Sequence, residues 1–371
     1  MIRQVNPVDF WRGIALVSIF INHIPGIYYS RFTHTAYSIS DSADLFVFLA
    51  GWALRYMVGA PSSKMPAWYL TLRLWGRAIT LYMAQIVITM IALAILAGVA
   101  LWLNNPLLLE WHNAAAVFND PGQTLVGLAL ITHQLGYFNI LPLYVLLMTM
   151  APVFVLVDRV SPHLVLPLSL LIYGLTLGFQ VSIPTWPIEG EWFFNPLAWQ
   201  LLFVLGFVLA REDGIGGLIR RHMQAIRLIA LPILIIGVFL TYYGWWIDPT
   251  EVPTPKLYFL LSKTYATPPR VFQFLALVAV MSVTYPYIKQ FASWLVEFLA
   301  MLGRNSLYVF CISSILSLVG QIVRFLYQGS VYIDTTVVIC GILIMAFTAW
   351  LLEWRKRFND RISLRVAASS S

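Results

Sequence analysis

An apolar run from about Val8 to Ile27 carries two ionisable side chains, Arg12 and His23, eleven residues apart. Such groups are expensive in hydrocarbon, so their presence there points to chemistry. On a helix, eleven residues make three turns with about 20° left over, which puts both side chains on one face about 16 Å apart along the axis. A histidine so placed is a candidate general base, and the guanidinium lies roughly half the hydrocarbon thickness away from it. A snorkelling arginine and a hydrogen-bonded core histidine would give the same pattern.

A second apolar run opens Asp41-Ser-Ala-Asp44 and continues Leu45-Phe-Val-Phe-Leu-Ala-Gly51. Asp44 then enters the membrane about one turn down, at a depth like that of His23. A carboxylate beside an imidazole fixes its tautomer and raises its basicity, so His23 and Asp44 read as a base and its orienter. Asp41 reads as the helix cap and as a substrate-binding candidate. Segments 182–195 and 248–269 face the same side and are rich in proline and aromatic residues: Trp186, Trp192, Trp245, Trp246 and Tyr258, with the acidic pair Glu189 and Glu191. They suit a sugar-stacking rim in which Glu189, Glu191 and Trp192 bind substrate, although an interfacial aromatic belt has the same composition.

The elements that must position these groups are membrane helices. The chain has 371 residues, 60% hydrophobic and 11% charged, with a mean hydropathy of +0.79. This predicts an all-α, polytopic membrane protein of about ten spans, near 8–28, 41–59, 70–102, 137–157, 164–181, 196–210, 228–247, 270–288, 305–326 and 331–352. If both ends are cytosolic, the inward connections and tails hold 17 of the 23 lysines and arginines, the asymmetry expected of that orientation. The net charge of +7 is then mostly topology, and no inward loop interleaves aromatics with basic residues as a nucleic-acid site would. One membrane domain, 1–360, with a disordered tail, 361–371, is expected. The first run lacks a small-residue cleavage site, so it reads as a helix of the mature protein.

Stretch 103–136 is too short and apolar to fold alone, and its piece from Thr124 to Thr132 suits a re-entrant or interfacial helix. An amphipathic piece from Phe291 to Leu302 is expected on the cytosolic surface, and Gly174 with Gly178 is expected to pack against a helix. Cys311 and Cys340 fall inside spans and read as packing residues. The six histidines are scattered without a metal-ligand pattern, and neither a phosphate-binding P-loop nor a G-x-S-x-G elbow occurs, so ATP use and a serine nucleophile lack support.

The ordered set Asp9-Phe-Trp-Arg12-Gly13, Ile21-Asn-His23-Ile-Pro25, Ser40 to Gly51, Ile140-Leu-Pro-Leu-Tyr144, Phe194 to Gly206 and Leu302-Gly-Arg304-Asn305-Ser-Leu-Tyr-Val-Phe310 resembles the membrane acyltransferase type three superfamily, and more narrowly the OpgC glucan-biosynthesis family. The resemblance implies transfer of an acyl group from cytosolic acyl-coenzyme A, a co-substrate rather than a bound cofactor, to a hydroxyl of a periplasmic glucan in the bacterial inner membrane. The group is typically succinyl in that family, and acetyl is the alternative here. The family histidine maps onto His23 and the family arginine, on the donor side, onto Arg12. The superfamily tends to carry an arginine pair three apart before its third helix, and this chain departs from that pattern with Arg73 and Arg77 four apart. Arg77, Arg304 and Asn305 at the inner mouth are candidates for the coenzyme A phosphates, although the inward bias of positive charge accounts for a lone arginine equally well. Asn22, Ser42 and backbone N–H groups are candidate oxyanion donors. Arg31, Lys256, Lys263 and Arg270 are outward cations for a succinyl carboxylate. A transporter or flippase for a glycan or anionic metabolite would use Arg12, His23 and Asp44 as a relay instead, and a catalytically silent subunit of a glucan-synthesis complex is a third reading.

Overall fold

The computed structural model describes residues 4–59, 65–245 and 247–369, so Trp246 lies outside the described residues. Among them every regular element is helical: α1 Pro7–Asn22, α2 Ser42–Val58, α3 Ala67–Trp102, α4 Ala115–Asn119, α5 Pro121–Ala129, α6 Ile140–Val160, α7 Val165–Gly178, α8 Pro196–Leu209, α9 Gly214–Arg221, α10 Met223–Tyr243, α11 Pro268–Met281, α12 Thr284–Phe291, α13 Ser293–Arg304, α14 Ser306–Leu326 and α15 Val331–Ser369. Each of the ten apolar segments read from the sequence overlaps a helix, and 270–288 is divided between α11 and α12, bent by 42°. Five helices, α3, α6, α10, α14 and α15, are long and apolar enough to cross a membrane, or six if α11 and α12 form one span.

The boundaries have local causes. α1 stops at Asn22, short of Ile27, because Pro25 disfavours helix in Ile24 before it and Gly26 turns the chain at φ +73°. His23 is therefore the helix's C-cap. Asp41 caps α2, its side chain accepting from the Ala43 N–H while Asp44 accepts from the Asp41 N–H, a reciprocal capping box. Asn195 caps α8 by accepting from Leu197, with Pro196 at the first helical position. The piece from Thr124 to Thr132, expected as a re-entrant or interfacial helix, overlaps the short helix α5, which ends at Ala129. α15 stays helical through Ser369, into the stretch read as a tail.

Two compact units divide the chain, one of residues up to His34 with those from Met281 onward, the other Thr35–Val280. Each is built on one antiparallel helix pair whose backbones touch through reciprocal glycines. In the first unit a Cβ on Gly303 would lie 1.8 Å from the Asp9 carbonyl oxygen, and one on Gly13 2.1 Å from that of Leu299. The piece expected as a cytosolic-surface helix is thus α13, laid backbone to backbone on α1 with Val296, Leu299, Ala300 and Leu302 buried. In the second unit a Cβ on Gly51 of α2 would lie 1.8 Å from the Phe203 carbonyl oxygen, and one on Gly206 of α8 1.9 Å from that of Phe48. Small residues permit such approach where lipid gives helices little hydrophobic reason to associate. Gly174 and Gly178 instead receive a loop residue, Tyr258, whose hydroxyl donates to the Gly174 carbonyl at 2.6 Å. A GxxxG groove accepts any flat partner, and here the connection 248–269 supplies it.

Candidate active site

In the first unit α1 is unbroken between Arg12 and the cap at His23, so the eleven-residue offset keeps its helical meaning. Both side chains are half-buried. The last turn of α1 leaves carbonyls without intrahelical partners, and α14 supplies donors for them. Ser317 shares its proton between Ser313 of its own helix and the Phe20 carbonyl, 3.0 Å away. Gln321 Nε2 donates to the His23 carbonyl at 2.5 Å, and Arg324 Nη1 to that of Pro25 at 2.6 Å. Asn22 Oδ1 accepts from the Thr33 hydroxyl at 2.9 Å. Packing follows the same line, with the Phe20 ring filling the space left by Gly341 of α15 and Ile24 the space at Gly320 of α14.

Elsewhere in this unit Arg304 ends α13 with Nε and Nη2 both on Glu353 Oε1 at 2.8 Å. Its Nη1 is buried and has no hydrogen-bond partner among the described residues. Asn305 caps α13, and its amide donates to the Met301 carbonyl at 3.0 Å.

In the second unit Asp44 is fully buried and accepts from Arg270, Nε to Oδ1 at 3.0 Å and Nη2 to Oδ2 at 2.5 Å. Asp41 Oδ2 takes Lys263 at 2.5 Å and Arg270 at 3.2 Å. Two acids and two bases thus balance one another, as buried charges require. Arg270 also donates to the Ile39 carbonyl at 2.7 Å, and one turn on Gln273 accepts from the Ser38 hydroxyl and the Ser40 N–H. The first turns of α11 therefore grip the chain leading into α2. Lys263, about one-third exposed, lies 5.3 Å and 5.4 Å from the ring centres of Phe193 and Phe194. The two aromatic segments meet: Asn195 N–H donates to the Thr264 carbonyl, Trp199 Nε1 to that of Lys263, and the Tyr265 hydroxyl to Glu191 at 2.8 Å.

The rim so formed differs in detail from the sequence reading. Glu189 and Glu191 are exposed. Trp192 is 3% exposed, with its Nε1 lacking a hydrogen-bond partner among the described residues, whereas Trp186 and Phe193 at 42% and 45% offer their faces. Of the outward cations, Lys263 and Arg270 are matched by the acids, while Arg31 is exposed beside the Tyr28 ring and Lys256 is half-buried. Ser42 Oγ is buried without a partner among the described residues. Arg73 and Arg77 sit on the first turns of α3, Arg73 exposed and Arg77 half-buried. At 36 residues, about 54 Å, this helix is longer than a hydrocarbon core of about 30 Å.

A further cluster joins helix C-termini of the second unit. Arg55 of α2 pairs with Asp158 of α6 at 2.7 Å and 2.8 Å, and Arg211, just past α8, reaches the same carboxylate at 3.2 Å. Cations at helix C-termini also offset the exposed carbonyls there, as when Arg55 Nη1 donates to Gly59. Sequence reading counted Arg55 and Arg211 only as inward charge and passed over Asp158. The rule that singled out Arg12, an ionisable residue in an apolar run, applies equally to Arg55 and Asp158. No such signal links Asp44 to Arg270, 226 residues away.

Comparison with family models matches residues 3–357, nearly the whole chain, to the model described as OpgC protein. Comparison with curated proteins finds no match.

Proposed function

The chain belongs to the OpgC family, and from that membership we propose that this membrane protein transfers an acyl group, succinyl or acetyl, from cytosolic acyl-coenzyme A to a hydroxyl of a periplasmic glucan. His23 is the general base. As the sugar oxygen attacks the thioester carbonyl, the imidazole takes the hydroxyl proton; the carbon–sulfur bond then breaks, and the proton leaves with the coenzyme A thiol. Arg12 serves the donor side, and an extended pantetheine arm is of the same order as the about 16 Å rise between the two residues. The observation carrying this reading is α1 itself: one unbroken helix, inside the matched region, bears the arginine and ends in the histidine.

Arg77, Arg304 and Asn305 take the coenzyme A phosphates, a role suited to the buried third nitrogen of Arg304. Asp41, Glu189, Glu191 and Trp192 serve the acceptor, Trp192 through its indole N–H, with Trp186 and Phe193 as stacking faces. Ten crossings of the inner membrane with both ends cytosolic complete the reading, supported by ten helical apolar segments and the inward bias of positive charge.

His23→Ala and His23→Asn should abolish transfer to glucan while expression and donor binding stay near parental. Mass spectrometry of periplasmic glucans from cells carrying each variant reads this directly. Acylation at the parental rate by either variant would refute the assignment.

A further inference from the structure

The environment of Arg324 goes beyond what a surface arginine needs. Its Nε pairs with Asp334 Oδ1 at 2.6 Å, and Asp334, 2% exposed, accepts the Tyr28 N–H on its other oxygen at 2.7 Å. The guanidinium lies between two glycines held in the left-handed region, Gly26 at φ +73° and Gly329 at φ +62°. A methyl group at Gly26 would stand 3.0 Å from Nη1, and one at Gly329 2.7 Å from Nη2. The positive φ at both positions disfavours other side chains there, and a methyl group at Gly329 would press directly on the guanidinium.

The bonds from this slot and from the same face of α14 go to the chain on either side of the general base. Ser317, Gln321 and Arg324 stand four and three residues apart, on one face of α14. They reach the carbonyls of Phe20, His23 and Pro25 in that order. Asp334 holds the next piece of chain at Tyr28. From Phe20 to Tyr28 the backbone thus has four anchors outside α1, and His23 sits in the middle of them.

We propose that Arg324, Asp334 and Gln321 are positioning residues for acyl transfer, fixing the backbone at the C-cap of α1 and with it the direction of the His23 imidazole. This rests on the reading of His23 as the base. A base misdirected by a fraction of an ångström loses turnover and leaves substrate binding intact, since the three residues act through the backbone and touch neither substrate.

The test uses the purified full-length protein, purified periplasmic glucan as acceptor, and succinyl- and acetyl-coenzyme A in parallel as donors. Arg324→Ala should lower kcat between 10- and 100-fold with both KM values within about twofold of parental. Free guanidinium at millimolar concentration should restore at least a third of the lost kcat by filling the slot. Gln321→Leu, which removes one bond and keeps the volume, should lower kcat severalfold, and it carries the test if Arg324→Ala does not fold. Unchanged kcat in a folded Arg324→Ala or Gln321→Leu protein overturns the proposal. A fall in kcat accompanied by an equal rise in KM, without guanidinium rescue, also overturns it. His23→Ala, run alongside, separates the two readings: transfer by that variant removes the base, whereas its inactivity with unimpaired Arg324 and Gln321 variants removes only the positioning.

Discussion

Replacing Gly303 by alanine would drive α1 and α13 apart at the point where they are closest. The new methyl would meet the Asp9 carbonyl oxygen at 1.8 Å, whereas carbon and oxygen in such contacts settle at about 3.3 Å, so the backbones must separate by about 1.5 Å there. Pivoting does not relieve the clash, because Gly13 holds the same pair together one turn along, 2.1 Å from the Leu299 carbonyl oxygen. A gap of about 0.5–1 Å already forfeits a quarter to a half of each dispersion contact. The cost therefore belongs at or above the top of the about 1–3 kcal/mol usual for overpacking. Arg12, adjacent to Gly13, moves with α1, and displacement by about 1 Å can slow a reaction about 100-fold. Thermal unfolding in detergent, with acyl transfer measured below both transitions, reads both effects. Gly98→Ala on α3 is the control, since nothing lies within 4 Å of its new methyl and alanine favours a helix over glycine by up to about 1 kcal/mol. Parental stability in Gly303→Ala, or an equal loss in Gly98→Ala, would refute the reasoning.

Arg270→Met leaves the buried Asp44 carboxylate without its ion pair and should destabilise the protein by about 3–5 kcal/mol, whereas Lys263→Met, at a side chain one-third exposed, should cost far less; comparable melting temperatures for the two would contradict the charge assignment. Burial, and then the bond to Glu191, pushes the Tyr265 phenol up to about 12. Because the unfolded phenol titrates near 10, the stability this group contributes is whole below about pH 10 and is lost between about 10 and 12. Tyr265→Phe should flatten that part of the alkaline unfolding curve, and an unchanged slope would show that the group is not held protonated.

Much of the architecture is legible in one dimension because it depends on near neighbours. Ten apolar runs predict ten helices, and the Asp41 cap and Pro196 start follow from adjacent residues. Arg12 and His23 stand out because two ionisable groups interrupt one apolar run. Family-signature glycines are visible as letters, but their purpose is not: Gly13, Gly51, Gly206 and Gly303 matter for what lies across from them, more than 150 residues away in the chain.

The sequence by itself determined that the chain is helical and rich in apolar runs, with an arginine and a histidine on one face of its first helix, since periodicity and composition encode those features locally, while an ordered set of short motifs carried the likeness to the OpgC family. The tertiary structure decided how charge and backbone are satisfied. It matched Asp44 with Arg270 and Arg55 with Asp158, and turned Trp192 inward while leaving Phe193 open. It also made one face of α14 the cap of the helix that ends in His23. Those choices depend on which helices approach within hydrogen-bonding distance, and a buried charge or orphaned carbonyl takes whichever partner the packing brings to it.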